Sequence, residues 1–380
     1  MPIRTTTIVD IREQIAQMAL SQRYTVAEIA KLFGITRPTV YKYRDRSRTD
    51  GRAGLVDRSS APVSTRRTAE WIVEQVLADR RRFGFGSKKI LRRLLDTDPD
   101  GPWPARSTID DILHRAGLVR PRRRRRRFHS PFQHRYQATV PGELTTIDFK
   151  GEFRLRDRRW CYPLTMADAV SRYLLACDAL PSTSLTSAWP VVERVFREHG
   201  LPNAVLSDNG PPFGGHGMSR LSTFSVRLME LEIQPVFIVP GHPEHNASHE
   251  RMHKTLKEDP ILQRRARSLR EQQRLFDVFR TTYNEERPHE GIAMDRPVRR
   301  YRPSRRPFPG SVSPIEYPPA FDVRPVASSG VIRWQGDVIF ISHALAGRRI
   351  GLEAINDQLW NIHFGSFLIG RLDQRERRFV

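Results

Sequence analysis

Apolar residues recur at helical spacing from residue 10 to 48 and again from 68 to 117. Near residue 142 they give way to short runs rich in β-formers. The first stretch predicts three short helices. Thr25 and Glu28 make a capping box before VAEIAKLF, Gly34 supplies a turn, and Thr36 with Pro38 opens TRPTVYKYRDR. Val26, Ile29, Leu32, Phe33, Ile35 and Val40 are the expected core, which leaves Arg37, Thr39, Lys42 and Arg44 outward. The expectation is a DNA-binding helix-turn-helix over residues 1–50 with a basic reading helix. A plain three-helix bundle with a solvated charged face carries the same pattern.

A second helix-turn-helix unit is expected over residues 63–120. Trp71, Ile72, Val76 and Leu77 share a helical face, Ser87 caps KKILRRLL, and Ser107 with Asp110 forms a capping box before a last helix that Gly117 ends. Asp110 and Asp111 suit a helix start but repel phosphate, which weakens the case for base reading by this unit.

From residue 138 to 296 the order is three strands, helix, strand, helix, strand, helix, a mixed α/β core. Eight prolines between 297 and 325 predict a linker. VIRW, VIFI, RIGLEA, LWNIHF and FLIGRL then predict five short strands and a small SH3-like β-barrel over residues 326–380. The chain therefore reads as multi-domain, all-α in front, α/β in the centre and all-β at the end.

Charge adds a partner. Lys and Arg number 64 against 42 Asp and Glu, a net charge of +22 that points to nucleic acid. Arg122, Arg123, Arg124, Arg125, Arg126 and Arg127 form a block expected to be unfolded alone and to lie along a DNA backbone, an arm over residues 121–137. A nuclear-localisation signal has the same composition. Two cysteines, Cys161 and Cys177, predict no disulfide framework. The start lacks a secretory apolar segment and no run is long enough for a membrane span, so the expected location is cytoplasmic.

Three acids stand at telling places. Asp148 lies inside the apolar strand TTIDF, Asp208 just after the fourth strand, and Glu250 on the helix after the fifth. An acid inside an apolar strand is disfavoured unless compensated, and Mg²⁺ prefers carboxylate ligands. Two such ions can activate an attacking oxygen and stabilise the leaving one at a phosphodiester. Taken singly, Asp148 also reads as an edge-strand acid, Asp208 as an ordinary turn residue and Glu250 as a solvated helix residue.

TTIDFKG, LSDNGPPF, PGHPEHNASHERMHKTLKE and YNEERPHEG resemble the catalytic segments of bacterial insertion-sequence transposases with a retroviral-integrase-type core. The resemblance implies an RNase H-like fold with a mixed five-stranded sheet, and Asp148, Asp208 and Glu250 as a DDE triad and metal ligands. It implies two Mg²⁺ ions, with Mn²⁺ as a substitute. It also implies a nucleoid-associated homodimer or homotetramer acting on double-stranded DNA. Such enzymes bind terminal inverted repeats, hydrolyse the phosphodiester at the element's 3′ ends and join the freed 3′-OH to target DNA. The segment between Asp208 and Glu250 is longer than the family's usual spacing, and Ala247 stands where glycine is common.

HERMH, residues 249–253, also has the HExxH form of zinc proteases. The extended signature would require Gly at Leu256 and His at Asp259, and neither is present. In the transposase reading Lys254 and Lys257 face phosphates, and His253 lies one turn on, nearer DNA than metal. His249 projects about 100° away from Glu250 and is expected to matter least. A nuclease that cleaves without joining, and a repressor with an inactive core, are the other readings.

Overall fold

The computed structural model describes residues 7–59, 67–119, 136–215, 221–238, 247–259, 266–356, 358–373, 375, 378 and 379. The arginine block 122–127 lies outside them. Two compact units emerge, Met1–Arg67 and Thr68–Val380.

The first unit holds α1 (Ile8–Leu20), α2 (Val26–Leu32) and α3 (Arg37–Asp50). The Thr25 capping box forms as the sequence implies: its backbone N–H donates to Glu28 Oε2 at 2.8 Å, while the Glu28 N–H donates to Thr25 Oγ1. Gly34 turns the chain at φ +65°. Ile15, Ile29, Ala30 and Val40 form the core, with Val26, Phe33 and Ile35 packed around it. Leu32, expected inside, is 68% exposed. It lies at the last turn of α2, on the side away from α1 and α3.

The second unit begins with α4 (Glu70–Phe83), α5 (Ser87–Thr97) and α6 (Arg106–Arg115), packed around Val76, Phe83, Ile90, Leu94, Ile109 and Leu113. Neither expected serine cap forms, because α5 starts at Ser87 itself and α6 at Arg106, ahead of Ser107, so that Gly86 and Ala105 precede them. Ser87 is buried inside the first turn. Trp71 also departs from expectation and is 52% exposed, edge-on to Trp103.

The central sheet comprises β1 (Leu144–Phe149), β2 (Phe153–Arg154), β3 (Trp160–Asp168), β4 (Leu174–Leu180), β5 (Ala204–Ser207) and β6 (Gln234–Phe237). β3 pairs antiparallel with β1 and β4, and β1, β5 and β6 run parallel. The short β2 extends the hairpin, a sixth strand beyond the five expected. α7 (Leu185–His199) and α8 (Thr223–Glu230) cover one face through Ile147, Val192, Phe196, Val205, Phe224 and Leu228. α9 (Ala247–Glu258) and α10 (Leu269–Thr281) cover the other through Cys177, Met252, Leu256, Phe276 and Phe279. A π-helical turn, Thr282–Glu286, and α11 (Pro297–Arg300) follow.

The proline-rich segment is strapped to the core. The Ser304 N–H donates to His199 O at 2.9 Å, and Arg306 donates to the carbonyls of Pro202 and Leu231. Its end is already sheet: β7 (Asp322–Pro325) pairs with β10 (Arg349–Ala354). β8 (Val331–Trp334) and β9 (Asp337–Phe340) pair only with each other as a separate two-stranded sheet. β11 (Leu359–Phe364), β12 (Phe367–Asp373) and β13 (Arg378–Phe379) complete the five-stranded sheet. The five expected strands all form, but the barrel does not close: two sheets share one core of Ile332, Trp334, Ile339, Ile350, Leu352 and Ile362.

Candidate active site

Parallel pairing of β1 and β5 matches Leu144 with Ala204, Thr145 with Val205 and Thr146 with Leu206. Two residues further along each strand, Asp148 and Asp208 come level, on strands about 4.8 Å apart. Asp208 sits where β5 ends and a tight turn begins. Its Oδ1 accepts from the Gly210 N–H at 3.2 Å, and Asn209 Nδ2 donates to Ile238 O at 2.8 Å. A Cβ on Gly214 would come within 2.3 Å of Asn209 O, so this turn tolerates only glycine there. Phe213 anchors it by stacking on Phe149 at 5.6 Å.

The third acid, Glu250, stands exposed on the first turn of α9. Burial first, then the charges of Asp208 and Glu250, push the Asp148 carboxyl up to about 7, against an opposing hydrogen bond from the Phe149 N–H. Burial likewise raises Asp208. The fold thus brings near one another three acids that are distant in the chain. Among the described residues, no Lys or Arg pairs with any of them.

Helix α9 is pinned by its histidines. His249 is 1% exposed, with Nδ1 at 2.7 Å from Thr146 Oγ1 on β1 and Nε2 at 2.7 Å from Thr165 Oγ1 on β3. The Thr165 hydroxyl donates to the Asp148 carbonyl and also meets His253 Nε2 at 2.7 Å. His253 Nδ1 then faces Asp148 Oδ2 at 3.7 Å. Burial, aided by Lys150, holds the His253 imidazole down at about 4, so it is neutral near pH 7.

Two expectations change. His249 is not the spare residue of the pentapeptide, because the helix turns it into the sheet, where two hydroxyls satisfy it. His253, expected nearer DNA than metal, is carried by the same turn of helix against Asp148. Asp148, His249 and His253 do offer ligand atoms within 4.8 Å of one another. Both nitrogens of His249 are already hydrogen-bonded, so HERMH is here a helix anchor and lacks two free imidazoles for zinc.

Lys254 and Lys257 are exposed, with Lys254 Nζ at 3.8 Å from Glu258. Lys150, which sequence reasoning passed over, stands two residues past Asp148, and burial, then the charge of Lys257, lowers its pKa. The period-two alternation of TTIDFK was the available signal. In the first unit Arg37 and Lys42 are exposed as expected. Arg44 instead pairs with Asp45 at 2.8 Å, and Thr39 is hydrogen-bonded with Thr36 at 2.8 Å.

Residues 138–243 and 231–297 each match an integrase core domain, and residues 11–62 match a helix-turn-helix domain. The chain is 26% identical over 258 residues to putative transposase y4bF of Sinorhizobium fredii, which covers 65% of this chain and 54% of that protein. It is 26% identical over 219 residues to an uncharacterized 31.7 kDa protein of insertion element IS407 from Burkholderia multivorans, covering 56% and 73%. The chain thus spans about half the length of the first relative. Among solved structures, the HTLV-2 integrase catalytic core domain in complex with magnesium aligns at 13% identity and a TM-score of 0.32, over 44% of this chain and 100% of that one. Among the described residues, no helix is long and apolar enough to cross a membrane.

Proposed function

We propose, from the integrase core domain and the helix-turn-helix domain that this chain carries, that it is a DNA transposase of the insertion-sequence kind. It binds the ends of a mobile element, hydrolyses the phosphodiester at each 3′ end and joins the 3′-OH to target DNA. The observation that carries the reading is the convergence of Asp148, Asp208 and Glu250 from two strand ends and a helix. The desolvated carboxyls of Asp148 and Asp208, with the exposed Glu250 beside them, have no basic partner among the described residues and match the donor set of a hard divalent cation such as Mg²⁺. When bound, the metal supplies positive charge at the attacking and leaving oxygens of a phosphodiester.

The chain's own residues do the positioning. β1 and β5 fix the two aspartates, and the tight turn after β5 holds Asp208 at its post. His249 and His253 lock α9 to β1 and β3, which sets the height of Glu250 over the pair. The test is a strand-cleavage and strand-transfer assay with Mg²⁺ or Mn²⁺ on duplexes carrying the inverted repeats that flank the gene. Cleavage with joining supports the reading, cleavage alone reduces it to a nuclease, and neither defeats it.

A further inference from the structure

Four cations from four separate elements gather beside α9. Arg287, after the π-helical turn, lies with its guanidinium 5.3 Å over the Phe85 ring and donates from Nη2 to Thr255 Oγ1 at 3.4 Å. Thr255 is one turn along α9 from Arg251. Lys89 lies in the first turn of α5, four residues past the Phe85 that carries Arg287. Arg172, in the turn between β3 and β4, places Nε 3.7 Å from where a Cβ on Gly291 would stand, four residues past Arg287. Tyr283 lies beneath, stacked edge-on against His289 at 4.5 Å.

Asp259, buried just past α9, supports the charge of Arg287, and the other nearby acids are occupied elsewhere. Asp168 accepts from the N–H groups of Gly142 and Ser171, Glu286 pairs with Arg93, Glu290 faces Lys88, and Glu258 faces Lys254. Among the described residues Lys89, Arg172 and Arg251 make no ion pair. Burial, then the positive charges of Arg287 and Arg251, hold Lys89 down at about 7. Arg172 keeps a left-handed φ of +66°, a conformation that non-glycine residues rarely adopt. Positive charges crowd together at a cost unless an anion joins them.

We infer that Lys89, Arg172, Arg251 and Arg287 form a phosphate-binding site for the DNA strand that reaches the acidic centre. Arg251 follows Glu250 directly, so a backbone phosphate held here places the neighbouring linkage at the three acids. The inference rests on the transposase reading and adds that the α4–α6 helices, through Lys89, help hold DNA at the core.

The test compares the full chain with Lys89→Gln/Arg251→Gln and with Arg274→Gln, on the exposed face of α10, in duplex binding at several salt concentrations. Removing two contacting cations lowers the slope of log affinity against log salt by roughly 1.8, while Arg274→Gln leaves it near wild type. If the double variant fails to fold by thermal melting, Arg251→Gln alone carries the test with a fall of about 0.9. An unchanged slope, or an equal fall in Arg274→Gln, overturns the inference while the transposase reading stands. So does stabilisation by inorganic phosphate that the variants lose without any change in DNA binding. A wild-type chain that neither binds nor cleaves duplex DNA removes the underlying reading instead.

Discussion

His249 and Thr165 meet at 2.7 Å, Nε2 to Oγ1, and this contact ties the helix bearing Glu250 to β3, the strand beside the one bearing Asp148. His249→Ala leaves a cavity under α9 and removes the hydrogen bonds to Thr146 and Thr165, each worth about 0.5–1.5 kcal/mol, while both hydroxyls keep their bonds to the Ala167 and Asp148 carbonyls. The expected outcome is a lower melting temperature and at least tenfold slower cleavage, because the helix that carries Glu250 is loosened. Bound zinc that disappears in this variant, with the melting temperature unchanged, would reverse the assignment of HERMH.

Asp148→Asn, Asp208→Asn and Glu250→Gln each abolish cleavage and leave end binding intact, since an amide keeps the shape but loses the charge a divalent ion needs. In metal-free buffer Asp148→Asn also melts higher than wild type, because it relieves a half-buried carboxylate crowded by two others. Near-normal turnover by any of the three takes that residue out of the site.

Residues 1–67 alone bind element ends with sequence preference, and Arg37→Ala and Lys42→Ala weaken that preference more than Arg44→Ala. Arg44 is already engaged by Asp45 and lies over Tyr41 at 4.9 Å. Gel shifts against specific and random duplex decide the matter. Equal affinity for both moves recognition elsewhere.

Asp96→Ala destabilises the second unit. Its buried carboxylate meets Arg296 Nη2 at 3.1 Å and Arg92 Nε at 3.0 Å, joining α5 to the start of α11. Losing the acid leaves those guanidinium groups uncompensated, at about 3 kcal/mol. Denaturant titration reads the loss as a lower midpoint, and an unchanged midpoint shows that α5 docks by its apolar face alone.

The elements were legible wherever a period repeats. Thr25 with Glu28, the strand TTIDF and the C-terminal run from VIRW to FLIGRL announce themselves within a few residues. Asp148 stands out against the apolar strand around it, whereas Asp208 and Glu250 pass singly for a turn and a solvated helix residue and are picked out by their element positions and by the family resemblance. What stayed hidden depends on distant partners. His249 reads as an idle neighbour until β1 and β3 supply Thr146 and Thr165. Arg296 and Asp96 are ordinary surface charges until α5 meets α11. Barrel closure depends on which edges pair, and alternation in β8 and β9 says only that one face is buried. Ser87 resembles a cap by type, but its buried position in the first turn leaves Gly86 to begin the helix.

Helix α8 serves two masters. Phe224 and Leu228 belong to the core over Ile147, while Val226 and Met229 complete the core of the C-terminal sheets, and Glu230 holds Arg348 at 3.0 Å. The C-terminal sheets are therefore poorly suited to exchange between relatives as an independent cassette. A recombination joining them to another integrase core must bring a matching α8 or leave an oily seam, so inheritance should favour keeping the two together.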